Sequence, residues 1–204
     1  MMNKQFNEAE LYLLKNWRDA ALLEESMNAV RKEYANILDE VLKTVCEENE
    51  GCTPVNRINA ASGYVGITKK SWLSSDSRYP SGLWIDCIAV DILASEDEEA
   101  PDAAVWIEPP RDSGLDLKEA TNRFYKEAKQ RLSKDELARV KPDDDRTSAA
   151  VWYYLPEPRH KLLEMLQTDE AREFKDCMIG HFELLSRFIP ILDEIFQTSG
   201  QKRT

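Results

Sequence analysis

FNEAELYLLKNWRDAALLEESMNAVRKEYANILDEVLKTV, residues 6–45, contains no proline or glycine and returns an apolar side chain every three or four positions. That spacing predicts one amphipathic helix. At 1.5 Å per residue its span would be about 60 Å, well beyond an ordinary globular helix. Its start is marked. Asn7 can cap, Glu10 completes a capping box, and Phe6 and Leu11 occupy the staple positions. Gly51 is the first residue suited to a reversal. Met27, Val30, Tyr34, Ile37 and Val41 alternate three and four apart, the heptad seam of a helix packed at a shallow angle on another helix. Leu13, Trp17, Ala20 and Leu23 extend the stripe through one three-three step. Lys15, Arg18, Glu25, Lys32 and Asp39 make the solvated face, and a break near Asn28 is the alternative to a single helix.

The far end of the chain repeats the pattern. Phe174, Met178, His181, Leu185, Phe188, Leu192 and Ile195 step by four and three, with Gly180 and Pro190 predicting a kink. Strand-like runs lie between the two seams. They are Tyr64 to Trp72, Leu83 to Leu93, Ala103 to Glu108 and Ala149 to Pro156, and residues 49–63 read as a connection. The second run is apolar on both faces, as a central strand covered on both sides should be. Helices are expected from Asp116, with Glu119 completing a capping box, and from Ser133, with Glu136 doing the same. The expected fold is α+β: long N- and C-terminal helices around a small four-stranded mixed sheet in the order αβββαβ. Residues 1–50 would be the first helix, 51–158 the sheet domain and 159–204 the C-terminal helices. The two seams would pair as an antiparallel helical arm, with Val41 near the start of the last helix and Met27 near its end. Pairing between two copies of the chain is the competing use of the same heptads.

Composition narrows the class. With 42 % hydrophobic and 32 % charged residues, the chain can build a core and solvate it. A net charge of −11 disfavours direct nucleic-acid binding, which needs clustered Lys and Arg on phosphate. Cys46, Cys52, Cys87 and Cys177 are scattered, and the opening MMNKQFNEAE lacks the apolar stretch of a secretory signal. No run approaches the roughly 18 apolar residues of a membrane span. The expectation is a cytoplasmic protein with free thiols and no membrane association.

The order αβββαβ is the core order of the PD-(D/E)XK nuclease superfamily. The stretches GYVGITKKSWL (63–73) and FELLSRFIPILDEIF (182–196) resemble pieces of bacterial and prophage proteins placed near that superfamily. The resemblance implies a mobile-element or phage-defence setting. It also implies a metal site holding Mg²⁺ or Mn²⁺ on an acid of the second strand and an acid of the third, with a Lys two residues on. Asp86, Asp91 and Glu108 are the matching acids. The Lys position is Pro110, so the water-activating half of the set is missing.

Other constellations carry weaker chemistry. Trp72, Trp84, Trp106 and Trp152 fall one per predicted strand, as core or as an aromatic platform. Cys177 and His181, four apart on one helical face, can supply two zinc ligands, and the arm model brings Cys46 and Cys52 towards them. There is no Gly-rich phosphate loop. Taken together, the residues point to a non-enzymatic protein-interaction or regulatory module needing no cofactor and serving a basic or nucleic-acid-associated protein partner. The alternative is a divergent metal-dependent nuclease. Leu11, Leu14 and Trp17, near the free end of the expected arm, are the candidate partner-binding residues.

Overall fold

A computed structural model describes residues 7–58, 63–72, 81–94, 101–108, 116–141 and 149–201. The chain divides into two compact units, Met1–Asn36 and Ile37–Thr204.

In the first unit the capping box forms as predicted. The Asn7 side chain accepts from the Glu10 N–H and the Glu10 carboxylate accepts from the Asn7 N–H, opening α1 (Glu8–Lys15). Phe6, the other staple residue, lies outside the described residues. The helix breaks at Asn16, not near Asn28. There the Asn16 amide side chain and backbone N–H both donate to the Tyr12 carbonyl, at 2.9 and 3.1 Å. α2 (Trp17–Glu48) then runs 32 residues. None of the α1 side chains is buried, and every residue from 21 to 30 is exposed.

The second unit is built on a sheet of β1 (Cys52–Ile58), β2 (Gly63–Lys69), β3 (Gly82–Asp86), β4 (Asp102–Trp106) and β5 (Ala149–Tyr154). The strands lie in sequence order and every neighbouring pair is antiparallel. The α+β class stands, but the sheet has five strands and is antiparallel throughout, where four in a mixed sheet were expected. The added strand is β1, inside the stretch read as a connection. It is one of the two edge strands, half exposed and holding Pro54, which edges tolerate because one side of the strand has no ladder partner among the described residues.

β3 is the middle strand, and Leu83, Trp84 and Ile85 are buried on both of its faces, as its sequence predicted. Its end was misplaced. The Asp86 carboxylate accepts from the Cys87 N–H at 2.8 Å and Cys87 takes φ 54°, turning the chain out of the sheet into α3 (Val90–Leu93). Gly66 pairs with Trp84, and a Cβ there would collide with the indole.

α4 (Leu117–Arg131) and α5 (Lys134–Leu137) follow β4, each opened by its predicted cap, Asp116 and Ser133. α6 (Arg159–Leu166), α7 (Arg172–Ser186) and α8 (Ile189–Gln201) follow β5. The predicted kink falls between α7 and α8. Pro190 sits in the first turn of α8, where its missing N–H costs nothing, while Gly180 continues α7 without a break. Phe124 of α4 meets Phe188 with ring centroids 6.4 Å apart, and Phe174, Met178, Phe182 and Leu185 of α7 are fully buried. The C-terminal part of α2 joins this core through Leu38, Val41, Leu42 and Val45.

The expected antiparallel arm needs correction. A seam closed from Met27 to Val41 would bury both ends, yet Met27 and Val30 are 42 % and 56 % exposed. Burial of the stripe begins at Tyr34. No helix among the described residues is long and apolar enough to cross a membrane.

Candidate functional site

Two places concentrate exposed or reactive chemistry, one in each unit. The first is the apolar face of α1 and early α2. Leu11, Leu14 and Trp17, the predicted partner-binding residues, are 44 %, 50 % and 67 % exposed. Leu23, Met27 and Val30, four and three residues apart, form a second exposed set on α2. Asp19, Glu24, Glu33 and Arg31 border Leu23, Met27 and Val30, and Lys15 and Arg18 border Leu11 and Leu14. Helices buried in a domain do not keep so many large apolar side chains in water, and a bare stripe of this size is what a binding surface looks like before it is covered.

The second lies where β5 leads into α6, against α7. Pro156 and Pro158 flank Glu157, and Pro158 caps α6. A residue between two prolines has little backbone freedom, since the ring that follows it excludes the helical region. The Glu157 carboxylate is thereby held against His181, whose Nε2 lies 3.0 Å from Oε2. The other ring nitrogen, Nδ1, lies 3.0 Å from the Tyr153 hydroxyl. With Nε2–H donating to the carboxylate and the phenol O–H donating to Nδ1, both nitrogens of a neutral imidazole are satisfied. Burial lowers the His181 pKa, and the Glu157 carboxylate counters only part of that effect. One helical turn earlier the Cys177 thiol donates to Glu157, and burial first, then that carboxylate, pushes it up to about 12. A thiol held in its protonated form is a weak nucleophile. Burial likewise raises the Tyr153 phenol. Glu136, Arg139, Tyr153, His181 and Leu184 line a small solvent-open depression beside the ring.

Glu157, Cys177 and His181 place one donor atom each within 4.8 Å of one another, the one such group of three among the described residues. The predicted zinc set is therefore reassembled. Cys177 and His181 do share a face, but Cys46 and Cys52 are not in their group. Cys52 opens β1 in the field of Lys69, Cys46 and Asp193, and burial pushes its thiol up to about 11. Asp86 closes β3, Asp91 sits in α3, and Glu108 follows β4, accepting from the Trp106 indole at 3.3 Å. These three acids form no group of three donors. Trp72 and Trp84 are buried, and Trp106 and Trp152 are half-buried, so the tryptophans are mainly packed in the fold and do not make an open platform. No family model, curated protein or solved structure matches the chain.

Glu157 was the residue that sequence reading missed. Nothing in spacing links position 157 to a helix that begins at 172. The available signal was the Pro156–Glu157–Pro158 run, an acid fixed between two rigid residues.

Proposed function

We propose that this protein is a non-enzymatic interaction module whose bare helical stripe takes an amphipathic helix of another protein, with Lys or Arg flanking that helix's apolar seam. The observation that carries this reading is the run of exposed Leu23, Met27 and Val30 beside Leu11, Leu14 and Trp17. The spacing suits helix-on-helix packing, and the flanking charges choose the occupant. Two copies aligned in parallel would set Asp19 of one chain towards Glu24 of the other, a like-charge pair. A basic-flanked helix meets Asp19, Glu24 and Glu33 with opposite charge. The net charge of −11 extends that preference to the whole protein and favours a basic or nucleic-acid-associated partner.

The test uses two synthetic helical peptides with the same Leu seam, one flanked by Lys and one by Glu. The Lys peptide should bind and the Glu peptide should bind at least tenfold more weakly, a difference of about 1.4 kcal/mol. Leu23→Ser with Met27→Ser should abolish binding while leaving the melting temperature in place. Equal binding of both peptides, or a stable homodimer in sedimentation that excludes them, overturns the proposal. Incubation with Mg²⁺ or Mn²⁺ and DNA or RNA is the companion assay. Cleavage lost in Glu108→Ala would replace this reading with the nuclease one.

A further inference from the structure

The geometry points to a zinc-class metal site formed by Cys177 Sγ, His181 Nε2 and Glu157, with water as the fourth ligand. Three observations converge on it. Sulfur, imidazole nitrogen and carboxylate oxygen are the donor types that borderline-soft divalent ions combine, and zinc above all. Cys177 and His181 stand one turn apart on α7 and present their donors side by side, while Glu157 reaches them from a proline-fixed connection. Ligands around a tetrahedral zinc lie about 3.3–3.8 Å from one another at ordinary bond lengths. The His181–Glu157 separation of 3.0 Å and the 4.8 Å limit on the group bracket that range.

The surroundings suit a ligand histidine. When Nε2 binds metal, the ring proton must move to Nδ1, and the Tyr153 oxygen 3.0 Å away becomes its acceptor after the phenol O–H turns aside. This outer partner would fix the tautomer and ring plane. The thiol gives up its proton to solvent as the Zn–S bond forms, and the hydrogen bonds of Cys177 and His181 to Glu157 are exchanged for metal bonds. The ion would then tie the β5–α6 connection to α7 beside the Tyr153–His181–Glu157 chain.

Cobalt(II) substitution tests the site in the full-length protein, because a thiolate ligand gives a near-ultraviolet charge-transfer band and four-coordination gives strong visible bands. One equivalent of Co²⁺ should bring up both, and Zn²⁺ should bleach them. Cys177→Ser should lose the charge-transfer band, and the double variant Cys46→Ser with Cys52→Ser should keep it. Tyr153→Phe should weaken binding roughly 10–100-fold, the usual cost of removing the partner of a ligand histidine. Glu157→Gln, outside the helix and sheet elements, keeps the test open should Cys177→Ser fail to fold. It should weaken uptake at least as much with an unchanged circular dichroism spectrum. Failure to take up one equivalent of either metal overturns the assignment, as does a band that survives Cys177→Ser or vanishes in the Cys46/Cys52 double variant.

Discussion

Leu23, Met27 and Val30 are 63 %, 42 % and 56 % exposed, whereas Leu38, Val41 and Leu42, farther along the same helix, are 0 %, 1 % and 0 % exposed. Both halves of α2 repeat apolar residues by threes and fours and both lack glycine and proline. The period sets where apolar side chains point and is silent on what covers them. Downstream, the stripe widens to Tyr34, Leu38, Val41, Leu42 and Val45, the broad face of a helix lying on a mixed core. Upstream it keeps the narrow spacing suited to a single helix partner. Full burial of a Leu or Val side chain is worth about 1.5–3 kcal/mol, and among the described residues the upstream side chains gain only part of it.

The largest expected effect follows. Leu42→Ala or Leu38→Ala should destabilise the protein by about 2–5 kcal/mol in urea unfolding, from lost burial and the cavity left behind. Leu23→Ala should stay within about 0.5 kcal/mol of the parent, as exposed substitutions do. Equal shifts for Leu42→Ala and Leu23→Ala would break the comparison outright.

Polar contacts sharpen it on a smaller scale. Asp193 accepts from Lys69 Nζ at 2.8 Å and from the Trp72 indole at 2.9 Å, with Lys69 only 16 % exposed and Trp72 fully buried. Asp193→Ala strands a buried N–H and a shielded ammonium, and should cost about 1–3 kcal/mol. The Lys43–Glu47 pair on α2 has its side chains 78 % and 67 % exposed. Lys43→Ala should cost no more than about 0.5 kcal/mol, since water and salt screen such a pair. Raising the salt concentration should narrow the second effect and leave most of the first.

What could be read in the sequence follows the same division. Caps were legible because a cap is decided within four residues: Asn7 with Glu10, Asp116 with Glu119, Ser133 with Glu136. The central strand was legible because Leu83 to Ile85 are apolar on both faces. β1 was not, because an edge strand exposes half its residues and so loses the pattern that betrays strands, and the expected arm failed because periodicity names a face and not its occupant. Within the candidate metal group, Cys177 and His181 were visible through their helical spacing. Glu157 was hidden because only the tertiary fold brings the β5–α6 connection to α7. Cys46 and Cys52 were drawn in by an arm whose seam does not close.

The smallest expected effect on global unfolding tests the bare side of the comparison at its weakest point. α1 has eight residues and no buried side chain, and a helix that short is marginal in water without help. Its help is the reciprocal bonding of Asn7 and Glu10, at 2.8 and 2.9 Å. Asn7→Ala removes the side-chain acceptor and should cost about 1 kcal/mol of local helix stability. Amide exchange at Leu11 to Leu14 should then quicken about fivefold, the ratio that 1 kcal/mol sets, with the urea midpoint unmoved. A midpoint that falls together with the exchange protection would make α1 part of the cooperative core, and its bare apolar residues would need a covering within the chain. An unmoved midpoint leaves them to be covered from outside, and Asn7→Ala should then weaken capture of a Lys-flanked helix by no more than the same fivefold.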